Sequence, residues 1–126
     1  GNEAQRELRE RMEKLGNQRV EAAVQDLRDR VLQHLERMSD RLVTETDDKG
    51  QPKARRFHDT LVTGTFQLCD LMNTLNITGD PRVSQARLRL ETALSGISAE
   101  DLRKEHDTRD AVKKEVDAVL NQWRLA

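Results

Sequence analysis

Apolar residues recur along much of the chain at steps of three and four positions, which is the spacing of one face of an α-helix. The pattern is densest between residues 57 and 75, where apolar or small side chains would cover most of the circumference of a helix. One line along this helix comprises Phe57, Leu61, Gly64, Leu68, Leu71 and Leu75, and Val62, Thr65, Phe66, Cys69 and Met72 widen it. A helix that is apolar on so many sides needs more than one neighbour to cover it. We therefore predict that this segment is a central helix, against which the other segments pack.

Gly64 lies in the middle of the apolar line of this predicted helix. Glycine weakens a helix interior by roughly 1 kcal/mol relative to alanine. Two explanations account for its presence. Either another helix approaches the backbone closely at this point, or the local flexibility is tolerated. The sequence leaves both explanations open.

The first 46 residues are rich in helix formers and carry two apolar stripes that are out of phase. Leu8, Met12 and Leu15 form the first stripe. The second stripe comprises Val20, Val24, Leu27, Val31, Leu35, Met38 and Leu42. Gly16 and Asn17 stand between the two stripes, and this pair is typical of a helix stop. We predict a long N-terminal helix that is kinked or broken there, with 1–16 as a separate helical extension.

The second stripe has two interpretations, which are compatible on different faces of the helix. It can pack on the central helix as part of the chain's own core. Alternatively, a stripe over about 40 Å of helix can serve as a coiled-coil or bundle interface with another copy. The candidate interface residues are Val20, Val24, Leu27, Val31, Leu35, Met38 and Leu42.

The second half of the chain is divided by polar turns. Residues 47–52 form the clearest loop, which should return the chain antiparallel to itself. Asp80 is placed to cap the next helix and Pro81 to occupy its first turn, and Gly96 ends that helix. Ser98 has the capping-box spacing to an acidic residue, so we expect a short helix from Ser98 and a longer one from about residue 108. No segment alternates apolar and polar residues over a strand length, and we predict no strands.

Composition narrows the fold class. The chain of 126 residues is 35% hydrophobic, 36% charged and only 2% aromatic, which is poor material for a sandwich or barrel but sufficient for long helices. We predict an all-α fold: an elongated antiparallel helical bundle with one long kinked N-terminal helix, a central apolar helix and two to three shorter C-terminal helices. We expect 1–126 to be one helical domain. Because the chain begins with Gly1, we expect it to be a fragment of a longer protein.

The net charge and the lack of known site motifs argue against most kinds of binding site and catalytic site. A formal net charge of -1 provides no overall attraction to nucleic acid. The densest basic cluster, Lys53, Arg55 and Arg56, is the candidate for nucleic-acid contact. The three histidines and the single cysteine have no ligand spacing or acid–base partner. We predict no catalytic residues, no metal, no cofactor and no small-molecule substrate.

The stretch from residue 57 to residue 81 is similar to a known sequence pattern. The matching residues are Phe57, Asp59, Leu61, Val62, Leu68, Asp70, Leu71, Leu75, Asn76, Thr78, Gly79, Asp80 and Pro81. The pattern resembles the carboxy-terminal helical region of an uncharacterised family found in bacteriophages and bacterial mobile elements. The resemblance covers roughly residues 20–123. It implies an origin and a helical fold, and it carries over no activity and no site.

The sequence thus predicts a helical module for protein–protein interaction or assembly. The excess of amphipathic helix over what one thin core can bury indicates self-association as a homodimer, or binding to another protein of the same system. The alternative is a nucleic-acid-associated protein that uses arginine-rich helix faces. No apolar run is long enough to cross a bilayer, and we expect a cytoplasmic protein without membrane association.

Overall fold

The computed structural model describes residues 2–75 and 81–125, with the side chain of Leu75 left out. Within these residues the chain forms α1 (Asn2–Arg41), β1 (Thr44–Thr46), β2 (Pro52–Ala54), α2 (Thr60–Leu75), α3 (Pro81–Leu94), α4 (Ala99–Lys104) and α5 (His106–Leu125). The all-α fold class is therefore confirmed, and one short hairpin departs from it. The proposed cap Asp80 and the distinctive turn at 76–80 lie outside the described residues.

The four longer helices pack as a ring in which each has two neighbours. α1 packs against α2, α2 against α3, α3 against α5, and α5 back against α1. α5 is antiparallel to α1, because the indole of Trp123 donates to the Arg28 carbonyl while Ser39 contacts Asp117. α2 is covered on two sides, by α1 and α3, and shares the core with α5. The core residues on α2 are Leu61, Val62, Leu68, Cys69 and Met72.

α1 is one uninterrupted helix of 40 residues, so the predicted helix break at Gly16 and Asn17 is wrong, while a kink there stays a prediction. A Cβ added at Gly16 would meet nothing within 4 Å, which shows that no neighbouring element acts on the helix there. A single exposed glycine weakens a helix by roughly 1 kcal/mol, and the strong helix formers on both sides outweigh that loss. The change in stripe phase therefore does not come from a helix stop.

The hairpin corrects two further predictions. We predicted no strands, and we extended the first helix to residue 46. Instead α1 ends at Arg41, and Thr44–Thr46 pairs antiparallel with Pro52–Ala54. The Asp47 side chain accepts hydrogen bonds from the backbone N–H groups of Lys49 and Gln51, at 2.9 and 2.8 Å, and Gly50 has a φ of 77°. This turn joins two three-residue strands that are too short to give an alternating pattern.

The junction between α4 and α5 is close to the predicted one. The Ser98 hydroxyl accepts from the Asp101 N–H, and the Asp101 carboxylate accepts from the Ser98 N–H. α5 begins at His106, two residues earlier than expected. Its buried face contains Val112, Val116, Val119 and Leu120, as predicted, and Trp123 packs partly buried against the core.

Arg109 is a buried charge at this junction that no sequence pattern singles out. Only 1% of the residue is exposed. Its guanidinium donates to the carbonyls of Leu102 and Arg103 at 2.9 and 3.2 Å, and to the Thr44 hydroxyl at 3.0 Å. The positive charge thus faces the carbonyl end of α4, where the helix dipole is negative. One side chain thereby connects α4, α5 and the hairpin.

Candidate functional site

The first candidate site is the N-terminal part of α1, residues 2–23, which we call the arm. Every one of these residues is exposed, whereas the helix packs on the rest of the chain from Val24 onward. We call residues 24–75 and 81–125 the body. At 1.5 Å per residue the arm extends for about 33 Å. Most helical stability in proteins comes from packing of an apolar face, so a partner that packs on the arm would stabilise it.

The arm carries the first apolar stripe on its surface. Leu8, Met12 and Leu15 are 60%, 64% and 54% exposed. Their spacing of four and three places them on one face of the helix. Three large apolar side chains in a row on an otherwise polar helix form the kind of narrow stripe that pairs with another helix.

The apolar stripe of the arm faces a different direction from the stripe that packs in the body. At 100° per residue, Val31, Leu35 and Met38 lie about 140° around the helix from Leu8. The phase change that suggested a break therefore separates two surfaces of one continuous helix. The body covers one surface, and the other remains available on the opposite side.

Charges on the arm are distributed around the stripe. Arg11 and Arg19 lie within about 60° of Leu8, and Arg9 and Glu7 lie about 100° to either side of it. Basic side chains therefore predominate beside the stripe, and acidic ones outnumber basic ones on the far side. A helix that docks on the stripe would meet arginine side chains at its edges.

The seven predicted interface residues fall into three groups. Val31, Leu35, Met38 and Leu42 are fully buried in the chain's own core. Val24 and Leu27 pack partly buried against that core. Val20 is 58% exposed and precedes Val24, the first residue of α1 that packs against the core. The four buried side chains present no atoms to a second copy, and the interpretation of the stripe as intramolecular core accounts for them.

A second candidate site lies at the other end of α1, in a groove of about 680 Å³. The lining includes His34, Arg37 and Arg41, which share one face of α1 through their spacing of three and four, together with Arg56 and His58 from the segment before α2. Phe57, Thr60 and Leu61 complete the lining. We call this site the basic groove. The three-and-four spacing on α1 was visible in the sequence, but the approach of Arg56 and His58 was not.

Two arginines hold the segment that forms one wall of the basic groove. Arg41 donates to the carbonyl of Arg56 at 3.4 Å. From the other side, Arg103 of α4 donates to the carbonyl of Phe57 and pairs with Asp59, both at 2.7 Å. The Arg103 guanidinium also lies 4.9 Å from the centre of the Phe57 ring. The wall is therefore fixed to both α1 and α4.

His34 lies where α1 crosses α2. Its Nε2 is 2.8 Å from the Thr65 hydroxyl, which donates to the Leu61 carbonyl at 2.7 Å. A Cβ added at Gly64 would lie 3.2 Å from His34 Cε1, so of the two explanations for this glycine the structure supports close approach of another helix. Burial, with the charge of Arg37 as a second cause, lowers the pKa of His34. Burial thus disfavours a positive charge on His34, whereas the arginines of the groove stay charged.

The three candidate nucleic-acid contacts have different surroundings. Arg55 pairs with Asp40 and with Glu45, each at 2.8 Å, so its charge is balanced by two carboxylates. Lys53 is exposed on β2, and Arg56 lines the basic groove. Arg55 and Arg56 are adjacent in sequence, yet Arg55 forms ion pairs with two carboxylates and Arg56 lines the basic groove.

The described residues show no arrangement for metal or thiol chemistry. No group of three histidine, cysteine, aspartate or glutamate side chains among them could hold a metal ion. Cys69 is 1% exposed, and burial raises the pKa of its thiol to about 11. A protonated, inaccessible thiol is a poor nucleophile. None of the helices in the described part of the chain combines the length and apolar character that a membrane crossing needs.

Comparison with known proteins returns no match: no family model, no characterised protein and no solved structure is significantly similar to this chain. The arm and the basic groove are therefore assessed on their own geometry.

Proposed function

We propose that this protein is a helical assembly module that forms a homodimer through its arm. The observation that carries the proposal is the run of 22 consecutive exposed residues, 2–23, with Leu8, Met12 and Leu15 aligned on one side. The apolar face that the chain buries in its own core begins only at Val24. We therefore propose the first stripe, and not the second, as the surface that binds a partner.

The stripe has the spacing of a short coiled-coil seam. In a heptad frame, Leu8, Leu15 and Ala22 occupy d positions, and Gln5, Met12 and Arg19 occupy a positions. The neighbouring e and g positions include Arg9, Arg11, Gly16 and Gln18. Pairing two copies in antiparallel orientation, with Met12 opposite Leu15 of the second copy, sets Arg9 opposite glycine and Arg11 opposite glutamine. Like charges therefore do not face each other at the edges of the seam, and Arg19 lies opposite Leu8 of the second copy, where the apolar stripe ends.

An antiparallel pair also suits the positions of the two bodies. In this register, residue 3 of one arm lies opposite residue 24 of the other, so each arm is paired along its whole length. Each body then lies at the opposite end of the pair. The body of each copy also lies about 140° around the helix from the seam. Neither body obstructs the approach of the second arm.

The expected affinity is modest. Each copy contributes three large apolar side chains, and burying each one contributes about 1.5–3 kcal/mol. Association loses translational and rotational freedom, which offsets much of that gain. We expect a dissociation constant of roughly 1–100 µM.

The test is the solution mass of the protein across a hundredfold range of concentration around that value, measured by light scattering coupled to gel filtration. The wild-type chain should pass from monomer to dimer. Met12→Glu places a charge in the middle of the seam and should leave a monomer at every concentration. Val20→Glu is the matched control, since Val20 is similarly exposed but lies about 120° from Leu8, and this variant should still dimerise.

Two results would count against the proposal. A monomeric wild-type chain at the highest concentration would mean that the arm serves a different protein. A dimer that Val20→Glu disrupts and Met12→Glu does not would move the interface to the other side of the arm.

The remaining parts of the proposal have separate support. A phage or mobile-element origin is supported by the resemblance of residues 57–81 to that family. A reducing compartment such as the cytoplasm is supported by the single cysteine, which is buried and unpaired. The proposed role is non-catalytic, and the buried, protonated Cys69 supports that view.

A further inference from the structure

The basic groove lies in the body and takes no part in the proposed dimer seam. Its cations come from two separate chain segments: Arg37 and Arg41 from α1, and Arg56 from the segment between β2 and α2. The first turn of α2, at Thr60, opens into the same space. The partial positive charge of a helix start adds to the charge of the arginines.

The acidic residues nearest the groove are already bound by other arginines. Asp40 pairs with Arg55 at 2.8 Å, and Asp59 pairs with Arg103 at 2.7 Å. Arg41 lies 3.9 Å from Asp40, at the limit of an ion pair. Among the described residues, the side chains of Arg37 and Arg56 neither donate a hydrogen bond to a protein acceptor nor pair with a carboxylate. The groove therefore holds positive charge that the chain itself does not neutralise.

The wall of the groove is fixed before any ligand arrives. Arg41 and Arg103 hold the backbone carbonyls of Arg56 and Phe57 from opposite sides. Gly64 lets His34 approach α2 closely, which fixes α1 against the groove floor at Leu61. A site whose wall is already ordered loses less conformational entropy on binding.

We infer that the basic groove binds a phosphate-bearing anion of about nucleotide size. Three guanidinium groups and a helix start face one space, which suits a ligand with several charges on neighbouring centres. Phosphate groups provide tetrahedral oxygens that accept from several guanidinium groups at once, whereas one carboxylate presents two coplanar oxygens to one arginine. A volume of about 680 Å³ lies within the usual range for small-molecule sites and exceeds what one inorganic phosphate would fill.

The histidines provide an internal probe. Of the three in the chain, His34 and His58 line the groove and His106 starts α5. The experiment titrates pyrophosphate into the full chain at constant ionic strength and follows the histidine ring signals by NMR, assigned with single His→Asn variants. The ring signals of His34 and His58 should shift and saturate together, and that of His106 should stay unchanged. Equal shifts of all three, or no shift, would overturn the inference.

Substitutions of single arginines distinguish binding in the basic groove from nonspecific attraction to positive charge. Arg37→Gln and Arg56→Gln each remove one charge-assisted contact and should weaken pyrophosphate binding about tenfold. Neither change touches the hydrogen bond from Arg41, which goes to the backbone of Arg56. The matched control is Arg30→Gln on the same helix, outside the groove, where the side chain is 62% exposed. An equal loss in this control would show nonspecific attraction and overturn the inference.

Two further ligands define the chemistry and its source. Citrate carries comparable charge on carboxylates, and it should bind at least tenfold more weakly than pyrophosphate; equal binding would overturn the assignment to phosphate. A mononucleotide diphosphate and a short single-stranded oligonucleotide are then compared. Tighter binding of the mononucleotide would identify a free nucleotide as the source of the phosphate, and tighter binding of the oligonucleotide would identify a nucleic-acid strand. Both results retain a phosphate site.

Discussion

The two parts of α1 contrast sharply although they belong to one helix. Residues 2–23 are exposed throughout, while the later part buries Val31, Leu35 and Met38 completely. Both parts are rich in good helix formers and both carry an apolar stripe. They differ in whether the stripe has a neighbour within the same chain. Local sequence is therefore sufficient to specify a helix here, but tertiary packing decides which part of it contributes to the stability of the fold.

The contrast also predicts different dynamics. The arm has exposed backbone hydrogen bonds and few contacts, which are the features of a segment that opens at low free energy. The buried part of α1 can exchange its amides only when the body unfolds. A partner that packs on the arm would raise its stability by mass action and leave that of the body nearly unchanged.

The two parts of α1 should differ most in how much truncating one leucine lowers the free energy of unfolding. Leu35→Ala removes a fully buried side chain and should lower the free energy of unfolding by about 2–5 kcal/mol, because it leaves a cavity. Leu8→Ala truncates a side chain that is 60% exposed and should change it by less than about 0.5 kcal/mol. Urea unfolding of the monomer at low concentration measures both. Equal losses would show that the arm packs on the body.

Alkaline pH should lower the stability of the body through ionisation of the Cys69 thiol. Burial holds the pKa of this thiol at about 11, above its ordinary value of 9.0, so the unfolded chain releases the proton first. The stabilising contribution of the protonated thiol is complete below about pH 9, and it falls by about 1 kcal/mol by pH 10 and about 2 kcal/mol by pH 11.

The control for this pH effect is Cys69→Ala, which removes the thiol. Lysines also titrate in this range, so the test compares the slope of unfolding free energy against pH in the two chains. The wild type should lose more stability between pH 8 and pH 10. Parallel slopes would mean that the thiol is not desolvated in the folded protein.

The two helical glycines should respond in opposite directions to alanine. Gly64→Ala places a Cβ 3.2 Å from His34 Cε1, and His34 cannot shift freely because it is held by Thr65. We expect a net loss of about 1 kcal/mol, since the clash exceeds the gain in helix propensity. Gly16→Ala meets nothing and should slow amide exchange in the arm by up to about fivefold. A gain in stability from Gly64→Ala would mean that His34 moves aside easily.

The sequence allowed the prediction of features that depend on local signals. The capping box of Ser98 and Asp101, the helix end at Gly96 and the buried face of α5 all follow from short-range spacing. The close approach at Gly64 was one of two explanations that its position suggested. The break at Gly16 and Asn17 was wrong, because the phase change was attributed to the backbone when it reflects two surfaces of one helix.

The features that sequence analysis missed depend on contacts between distant segments. The strands have only three residues each, so they give no periodic signal. Arg109 is buried because carbonyls of α4 and a hydroxyl of the hairpin converge on it, and its sequence neighbourhood is highly polar. The basic groove forms only when Arg56 is brought beside Arg37 and Arg41. No spacing rule within one helix could join these three residues.

The angle of about 140° between the two stripes of α1 has a consequence for how this chain can change in length. Each residue inserted between the arm and the body turns the arm by about 100° and moves it 1.5 Å outward. Two added residues would swing Leu8, Met12 and Leu15 by about 160°, toward the side on which the body lies. Seven would return them to within about 20° of their present direction, in arms roughly 10 Å longer. Homologues whose arms differ in length should therefore differ by whole heptads.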